Sequence, residues 1–468
     1  MAGEEYLKIG TTRPSLIVPE KRLDANFFLS AGIRARLRLE LARKSGLELE
    51  PLGGKDAIAK CWRPQRFKRV YAVQGEESVP YLRPYDVFNY LPVAADWLSK
   101  TKNKKLTSYF LNTNMILQTC SGRNLGPATV VDSYISKFVT GDDIIRIEIE
   151  DETTRYFVLS FLMSPIGQEL LRRDKTGSVI DHISPDNLNE QLIPRFEDAQ
   201  ERLIADKMKE AVTAREEARE TIQKTFDSFE QLLPTLDRKT PLKQGATVKA
   251  TNLKGRLDVA PHDTFLDQIR SRLRKMGGRE LESYATVLKP AGRYTTRYVE
   301  KEYGIPILSG SQVLQVTPIK LHYMPLETLH DADRYRLSAK SIVIQADGRA
   351  EESLGFPAVV TTDRDGWLAS GHVGRIVPKE GTDSGWLYLA IRSRYVQTQL
   401  KALACGSVVD ALYEADIGKV ILPPSLSDSK EVNHAWGLFA TAQEAETEAL
   451  TTFDNTLNSF AGDVTPSQ

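Results

Sequence analysis

Two stretches of this chain set cations and aromatic rings side by side: KCWRPQRFKRVY, Lys60 to Tyr71, and LKPAGRYTTRYVEKEYG, Leu288 to Gly304. Guanidinium and ammonium groups neutralise phosphates, a guanidinium can also grip a guanine edge through two parallel hydrogen bonds, and aromatic bodies pack against sugars. The chemistry this mixture suits is recognition of a nucleic-acid duplex. KTKNKK, Lys100 to Lys105, adds a third basic run, which taken alone reads as a solvated face rather than a site.

Groups for covalent or metal chemistry do not assemble in the same way. The sequence has no GxxxxGK[ST] phosphate loop, no HExxH pair, no nucleophile elbow and no dinucleotide glycine pattern. The Asn/Asp-Pro-Pro-aromatic motif of adenine methylation is missing too. Histidines at 182, 262, 322, 330, 372 and 434 are scattered, with no pair at helical spacing. Cys61, Cys120 and Cys405 form no CxxC and read as small buried side chains in a reducing compartment. Pro185-Asp186 followed by Glu190 has the outline of a nuclease site but lacks a lysine two residues beyond the glutamate, so it reads as a turn and a helix start. These absences predict no catalytic residue, no metal and no cofactor.

A chain of 468 residues is too long for one ordinary core, and 41% apolar with 26% charged residues is the composition of a folded soluble protein. Lys and Arg number 62 and Asp and Glu 62, so indiscriminate coating of nucleic acid is excluded while locally basic faces are not. No apolar run is long enough to span a membrane, and MAGEEYLKIG lacks an export pattern, which points to the cytoplasm.

The elements that must position the basic stretches occur twice. TGSVIDHISPDNLNEQLIP, Thr176 to Pro194, returns as CGSVVDALYEADIGKVILP, Cys405 to Pro423. Arg22-Leu23-Asp24 returns as Arg256-Leu257-Asp258, VPYLRPYDV as IPILSGSQV, YFLNTNMILQTCSGR as YRLSAKSIVIQADGR, and NLGPATVV as SLGFPAVV. The displacements run from 226 (305 − 79) to 234 (256 − 22), in one order, so the chain is two homologous halves. FVTGDDIIRIEIEDE and GHVGRIVPKE alternate like strands. RYFVLSFLMSPIGQELLRR, SGWLYLAIRSRYVQTQLKAL and FLDQIRSRLRKM carry apolar residues at helical spacing, so each is expected to be a helix. Each half is a mixed α/β, or α+β, globular unit of about 180 residues.

Each unit is followed by a long helical stretch. Glu197 to Leu233 has no glycine or proline, and Ile204, Met208, Ala211, Ala218, Ile222, Phe226, Phe229 and Leu233 follow one another at steps of four or three except across Arg215. In the second copy Val432, Trp436, Phe439, Leu450, Phe453, Leu457 and Phe460 keep one heptad register, interrupted at Gln443 and Glu446. A repeat of 3.5 residues is the seam of a coiled coil, and a helix of this length spans about 50 Å. The reading adopted pairs the two helices antiparallel, relating the halves by an approximate two-fold axis; the other reading lays each on its own unit.

The RLDA opening at Arg22 to Ala25 with its copy at Arg256, the PQRFKRVY…VPYL and AGRYTTRYV…IPIL blocks, the CSGRNLG and DGRAEESLG turns, and the duplicated segment before each long helix together resemble the specificity (S) subunit of type I restriction-modification systems. The resemblance covers almost the whole chain and implies two target-recognition domains, at 1–196 and 237–427. It also implies two spacer helices, at 197–236 and at 428–468 with the C-terminal tail. It implies a subunit of a type I-like restriction-modification or related phage-defence complex that reads a split double-stranded DNA site. Two methyltransferase (M) subunits would dock on the helices, and restriction/translocase (R) subunits would join them. Arg66, Lys68, Arg69, Lys102 and Lys104 in the first domain, and Arg293, Arg297 and Lys301 in the second, are the expected DNA contacts. Arg123 and Arg349, in the two turns, contact DNA or cap local carbonyls. Ile204, Met208, Ile222, Phe226, Phe229, Leu233, Trp436, Phe439, Leu450, Phe453, Leu457 and Phe460 are the expected spacer and partner interface. A structural adaptor whose heads bind proteins, and a nuclease with an unrecognised site, are the competing readings.

Overall fold

Short strands form where aliphatic and β-branched residues alternate with polar ones between turns, and both halves build the same three sheets. To these the second adds the pair Asp347–Gly348 with Asp410–Ala411, where the described residues of the first have only the bridge Ser121 to His182. The structure, a computed structural model, describes residues 31–54, 57–121, 126–173, 182–235, 247–253, 256–289, 297–325, 335–350, 352–406, 409–426 and 428–461. The chain divides into two compact units: Met1–Phe88, Pro92–Thr213 and Ala442–Gln468 make unit 1, while Asn89–Leu91 and Ala214–Thr441 make unit 2.

Unit 1 runs α1 (Ala31–Lys44), β1 (Glu48–Pro51), β2 (Lys60–Trp62), β3 (Ser78–Leu82), β4 (Asp96–Ser99), β5 (Ile116–Thr119), β6 (Ala128–Val130), β7 (Val139–Thr140) and β8 (Ile144–Glu148). Then come α2 (Glu152–Met163), α3 (Pro165–Arg173), α4 (Pro185–Asn189), β9 (Leu192–Arg195) and the long helix α5 (Asp198–Leu232), which belongs to unit 1 up to Thr213 and to unit 2 from Ala214. Its sheets have the orders β2-β8-β5-β6, β4-β3-β7 and β1-β9.

Unit 2 runs α6 (Thr264–Lys275), β10 (Arg279–Glu280), β11 (Ala285–Leu288), β12 (Ile305–Leu308), β13 (His322–Met324), β14 (Ile342–Gln345), β15 (Asp347–Gly348), β16 (Pro357–Val359), β17 (Leu368–Ala369) and β18 (Val373–Pro378). It continues with α7 (Ser384–Arg392), α8 (Arg394–Leu403), β19 (Asp410–Ala411), α9 (Glu414–Gly418), β20 (Ile421–Leu422) and the second long helix α10 (Lys430–Ala461), which belongs to unit 2 up to Thr441 and to unit 1 from Ala442. The orders β11-β18-β14-β16, β13-β12-β17 and β10-β20 repeat those of unit 1. Registers repeat as well: β3 meets β7 in parallel with Tyr81 opposite Val139, and β12 meets β17 in parallel with Ile307 opposite Leu368. The offsets, 226 (307 − 81) and 229 (368 − 139), are those of the sequence repeat.

One expectation needs correcting. RYFVLSFLMSPIGQELLRR is two helices, because Pro165 has no amide to donate and pushes Ser164 into extended backbone at φ −64, ψ 156. Its counterpart SGWLYLAIRSRYVQTQLKAL breaks at Ser393, also extended, whose hydroxyl caps the new helix at the Val396 amide.

The two long helices run antiparallel. Lys207 pairs with Glu448 at 3.0 Å in unit 1, and the Thr225 hydroxyl donates to Glu431 at 3.4 Å in unit 2. Moving 18 residues forward on one (225 − 207) moves 17 back on the other (448 − 431). Ile204, Met208, Ile222, Phe229, Leu233, Trp436, Phe439, Phe453 and Leu457 are buried, and Phe226, Leu450 and Phe460 partly so. The buried face is wider than a two-helix seam, since Ala205, Val212 and Arg219 are covered too. A head helix takes the extra side in each unit: Phe157 and Phe161 of α2 pack against Phe453, and Tyr388 of α7 packs against Trp436. Two polar interruptions of the repeat stay within that face, Arg215 at 8% exposure and Glu446 at 2%.

Three residues of the first repeat belong to unit 2. Asn89 bridges Gln315 antiparallel, the Tyr90 amide donates to the Leu314 carbonyl at 2.8 Å, and the Tyr90 ring lies between Trp436 and Phe439. Asn89 and Gln315 are themselves repeat equivalents (315 − 89 = 226), so the pairing sets one position of the repeat against its own copy.

Candidate nucleic-acid interface

The first basic stretch begins as β2 and continues towards β3, and past Pro64 its side chains alternate in direction as an extended segment requires. Arg66 and Lys68 are exposed, Phe67 and Arg69 half-buried. Phe67 anchors the stretch against Tyr109, ring centroids 4.5 Å apart, in a small core with Val79, Tyr81, Leu98 and Val139. Arg69 turns inward, donating to the Tyr81 hydroxyl with its guanidinium 5.2 Å from that ring's centre. Burial pushes the Tyr81 hydroxyl up to about 12, so it receives Arg69 as a neutral acceptor.

KTKNKK is joined to this stretch by its asparagine. Asn103, 4% exposed, accepts from the Val70 amide at 2.9 Å and donates to the Val70 carbonyl at 2.8 Å and the Ser99 carbonyl at 2.7 Å. Lys102 and Lys104 flank it and are exposed, and Lys105 reaches back to the Gln65 side chain at 3.3 Å. One buried amide therefore brings Arg66, Lys68, Lys102 and Lys104 onto adjoining loops with their charges in water.

In unit 2 Arg297 and Lys301 are exposed on the stretch leading into β12, which is tied to β13 where the Val299 amide donates to the Tyr323 carbonyl. Tyr298 stacks on His322 with centroids 4.1 Å apart and planes at 13°. Arg349 is exposed in the turn after β15; that strand's Asp347 holds Lys289 at 2.8 Å and His372 at 2.7 Å. Arg123 and Arg293 lie outside the described residues, as do the RLDA segment at Arg22 and the first turn's Gly122.

Sequence reasoning missed the buried cations. Arg146, in the middle of β8, is fully buried and donates to the Thr140 carbonyl at 3.0 Å and hydroxyl at 3.2 Å, with the Tyr109 carbonyl at 3.4 Å. Burial lowers its pKa to about 10, leaving it a cation at neutral pH. Arg375 holds the same place in β18 (375 − 146 = 229), donating to the Arg336 carbonyl at 2.6 Å. The signal was an arginine at matched positions inside two apolar strands. Each ties its strand to backbone carbonyls inside its own unit.

Pro185 and Asp186 open the short helix α4, with Ser184 and Asn187 in a reciprocal capping box and Glu190 as C-cap, which is the turn and helix start expected. Among the described residues no cluster of His, Cys, Asp and Glu could hold a metal ion, and no helix is long and apolar enough to cross a membrane. A groove of about 980 Å³ in unit 1 is bordered by Glu50, Glu148, Glu150 and Asp151 together with Lys60, Arg155 and Arg195, and Lys60 and Arg195 are paired with Glu148 and Glu50.

The sequence matches no protein-family model and no curated protein. Among solved structures, the chain is similar to the type I restriction-modification system S subunit from M. genitalium, with 12% identity and a TM-score of 0.31 over 90% of this chain and 97% of that one. It is similar too to the HsdS subunit from Thermoanaerobacter tengcongensis, at 11% identity and a TM-score of 0.27 over 87% of this chain and 97% of that one. A third likeness, at 13% identity and a TM-score of 0.27 over 87% and 98%, is to a chain solved in a study of complex assembly and conformational transition of the type I R-M system. At these values the functional reading rests on the chain's own residues.

Proposed function

We propose that this chain is the non-catalytic, sequence-reading subunit of a type I-like restriction-modification or related phage-defence complex, binding a two-part site on double-stranded DNA. The observation that carries the reading is one scaffold built twice, with exposed cations on the stretch ahead of β3 and of β12. Arg66, Lys68, Lys102 and Lys104 would engage one half-site, and Arg297, Lys301 and Arg349 the other, with Arg123 and Arg293 joining them. In this reading residues 1–196 and 237–427 are the recognition domains, and the long helices at 197–236 and 428–468 fix the gap and receive two M subunits, with R subunits added to the assembly. The complex works in the cytoplasm, and this subunit itself needs no cofactor.

Selection of bound sequences from a random duplex pool, by the chain with its copurifying partners, tests the proposal. A split site should be enriched, and affinity should fall about a thousandfold between about 50 and 200 mM salt as counterions are released. Inserting seven residues into α5 should move or abolish the gap. An unchanged split site after that insertion removes the spacer role. No enrichment at all replaces the reader with a protein-binding adaptor.

A further inference from the structure

We infer that Tyr71 and Tyr298 are matched DNA-contact residues, and that the side chain beside each, Asp96 in unit 1 and His322 in unit 2, gives the two units different base preferences. This rests on the DNA-reading function proposed above.

Backbone register makes the tyrosines equivalent. The Ala72 amide donates to the Trp97 carbonyl at 2.9 Å, and the Val299 amide donates to the Tyr323 carbonyl at 3.0 Å. Each donor directly follows its tyrosine, and the acceptors are 226 residues apart (323 − 97). Both rings thus occupy the same edge of a three-stranded sheet, at or near the end of a basic stretch. Both are exposed, Tyr71 at 55% and Tyr298 at 51%. A single half-exposed ring is ordinary. Rings at both matched positions, one following Arg66 and Lys68 and one between Arg297 and Lys301, make an apolar contact set among cations. A duplex fits such a surface, with anionic phosphates beside apolar sugar faces and thymine methyl groups.

What flanks each ring differs. Asp96 and His322 hold one register position, opposite Tyr81 and Ile307 respectively. That position is a diagonal neighbour of the tyrosine across the strand pair. The His322 ring stacks on Tyr298 and offers nitrogens that donate and accept, whereas Asp96 offers only acceptor oxygens and is held by Arg83 at 3.1 Å. Two edges with different donor and acceptor patterns select different base edges.

The test is the same duplex selection, run with the full chain and its partners for wild type, Tyr71→Ala, Tyr298→Ala, Tyr298→Phe and His322→Asp. Tyr71→Ala should weaken base preference about tenfold in one half of the site and Tyr298→Ala about tenfold in the other. Tyr298→Phe, which keeps the ring, should retain the preference. His322→Asp should change the selected bases only in the half that Tyr298→Ala affects. The inference is overturned if the alanine variants leave both halves as selective as wild type, or weaken both halves alike, while wild type still selects a split site. A wild type that selects nothing overturns the DNA reading, and the inference with it.

Discussion

Units 1 and 2 share strand orders and registers, yet they fill the space beside the long helices with different chemistry. In unit 1 the fill is apolar: Phe453 of α10 meets Phe157, Phe161 and Phe196, with centroids 5.3 to 6.0 Å apart, inside a core of Ile204, Met208 and Leu457. In unit 2 it mixes rings with guanidinium groups. Tyr90 packs between Trp436 and Phe439, Arg364 lies 4.9 Å from the Tyr90 ring centre, and Arg219 donates to the Tyr90 carbonyl at 2.9 Å. Arg392 covers Phe226 at 4.1 Å. The lesson is that an apolar heptad repeat fixes where a helix is covered and leaves open what covers it. A phenyl cluster and a ring-and-guanidinium cluster both suit the same scaffold, provided each buried cation finds carbonyls.

The comparison predicts separable failures. Phe453→Ala should cost most, about 3–5 kcal/mol, since its ring is fully buried among three others. Hydrogen exchange should then rise across α2 and the first half of α5 and leave α7 and α8 protected. Equal loosening of both units would mean that the fills are not separate. Next comes Arg364→Met. Its guanidinium donates to the Gln315 and Val316 carbonyls at 2.7 and 2.6 Å, and stranding both should cost about 2–4 kcal/mol by urea denaturation, with exchange rising in unit 2. A neutral result would show that those carbonyls find other partners. Smallest should be Asn103→Ala, at about 1–2 kcal/mol, because one side chain's three hydrogen bonds hold a loop rather than a core. Under the function proposed above, its sharper readout is DNA binding, where untying KTKNKK from the first basic stretch should make the salt dependence shallower. Salt dependence identical to wild type would leave Asn103 a purely local tie.

The duplication, the long helices and the strands at β8 and β18 were legible because periodicity and repetition are properties of the sequence itself. The helix broken at Ser164 was not, although Pro165 announced it, because the apolar spacing continues across the break. Asn103 was hidden inside a run of lysines: composition reports the charge of a loop, and only the fold shows which member is buried. Arg146 and Arg375 were hidden in the same way among apolar strand residues, since their acceptors are carbonyls that no side-chain pattern encodes. Tyr90 was out of reach for another reason. Its place in unit 2 is set by contacts with residues more than two hundred positions away.

The meeting of Asn89 with Gln315 restricts how the two copies can drift apart. From the end of β3 to Asn89 is seven residues (89 − 82), and from the end of β12 to Gln315 is also seven (315 − 308). Elsewhere the halves have slipped by as many as eight residues, the difference between displacements of 226 and 234. A one-residue insertion between Leu308 and Gln315, both in unit 2, would move Gln315 out of register with Asn89 and draw the Leu314 carbonyl away from the Tyr90 amide, so this spacing must hold while loops elsewhere remain free to lengthen.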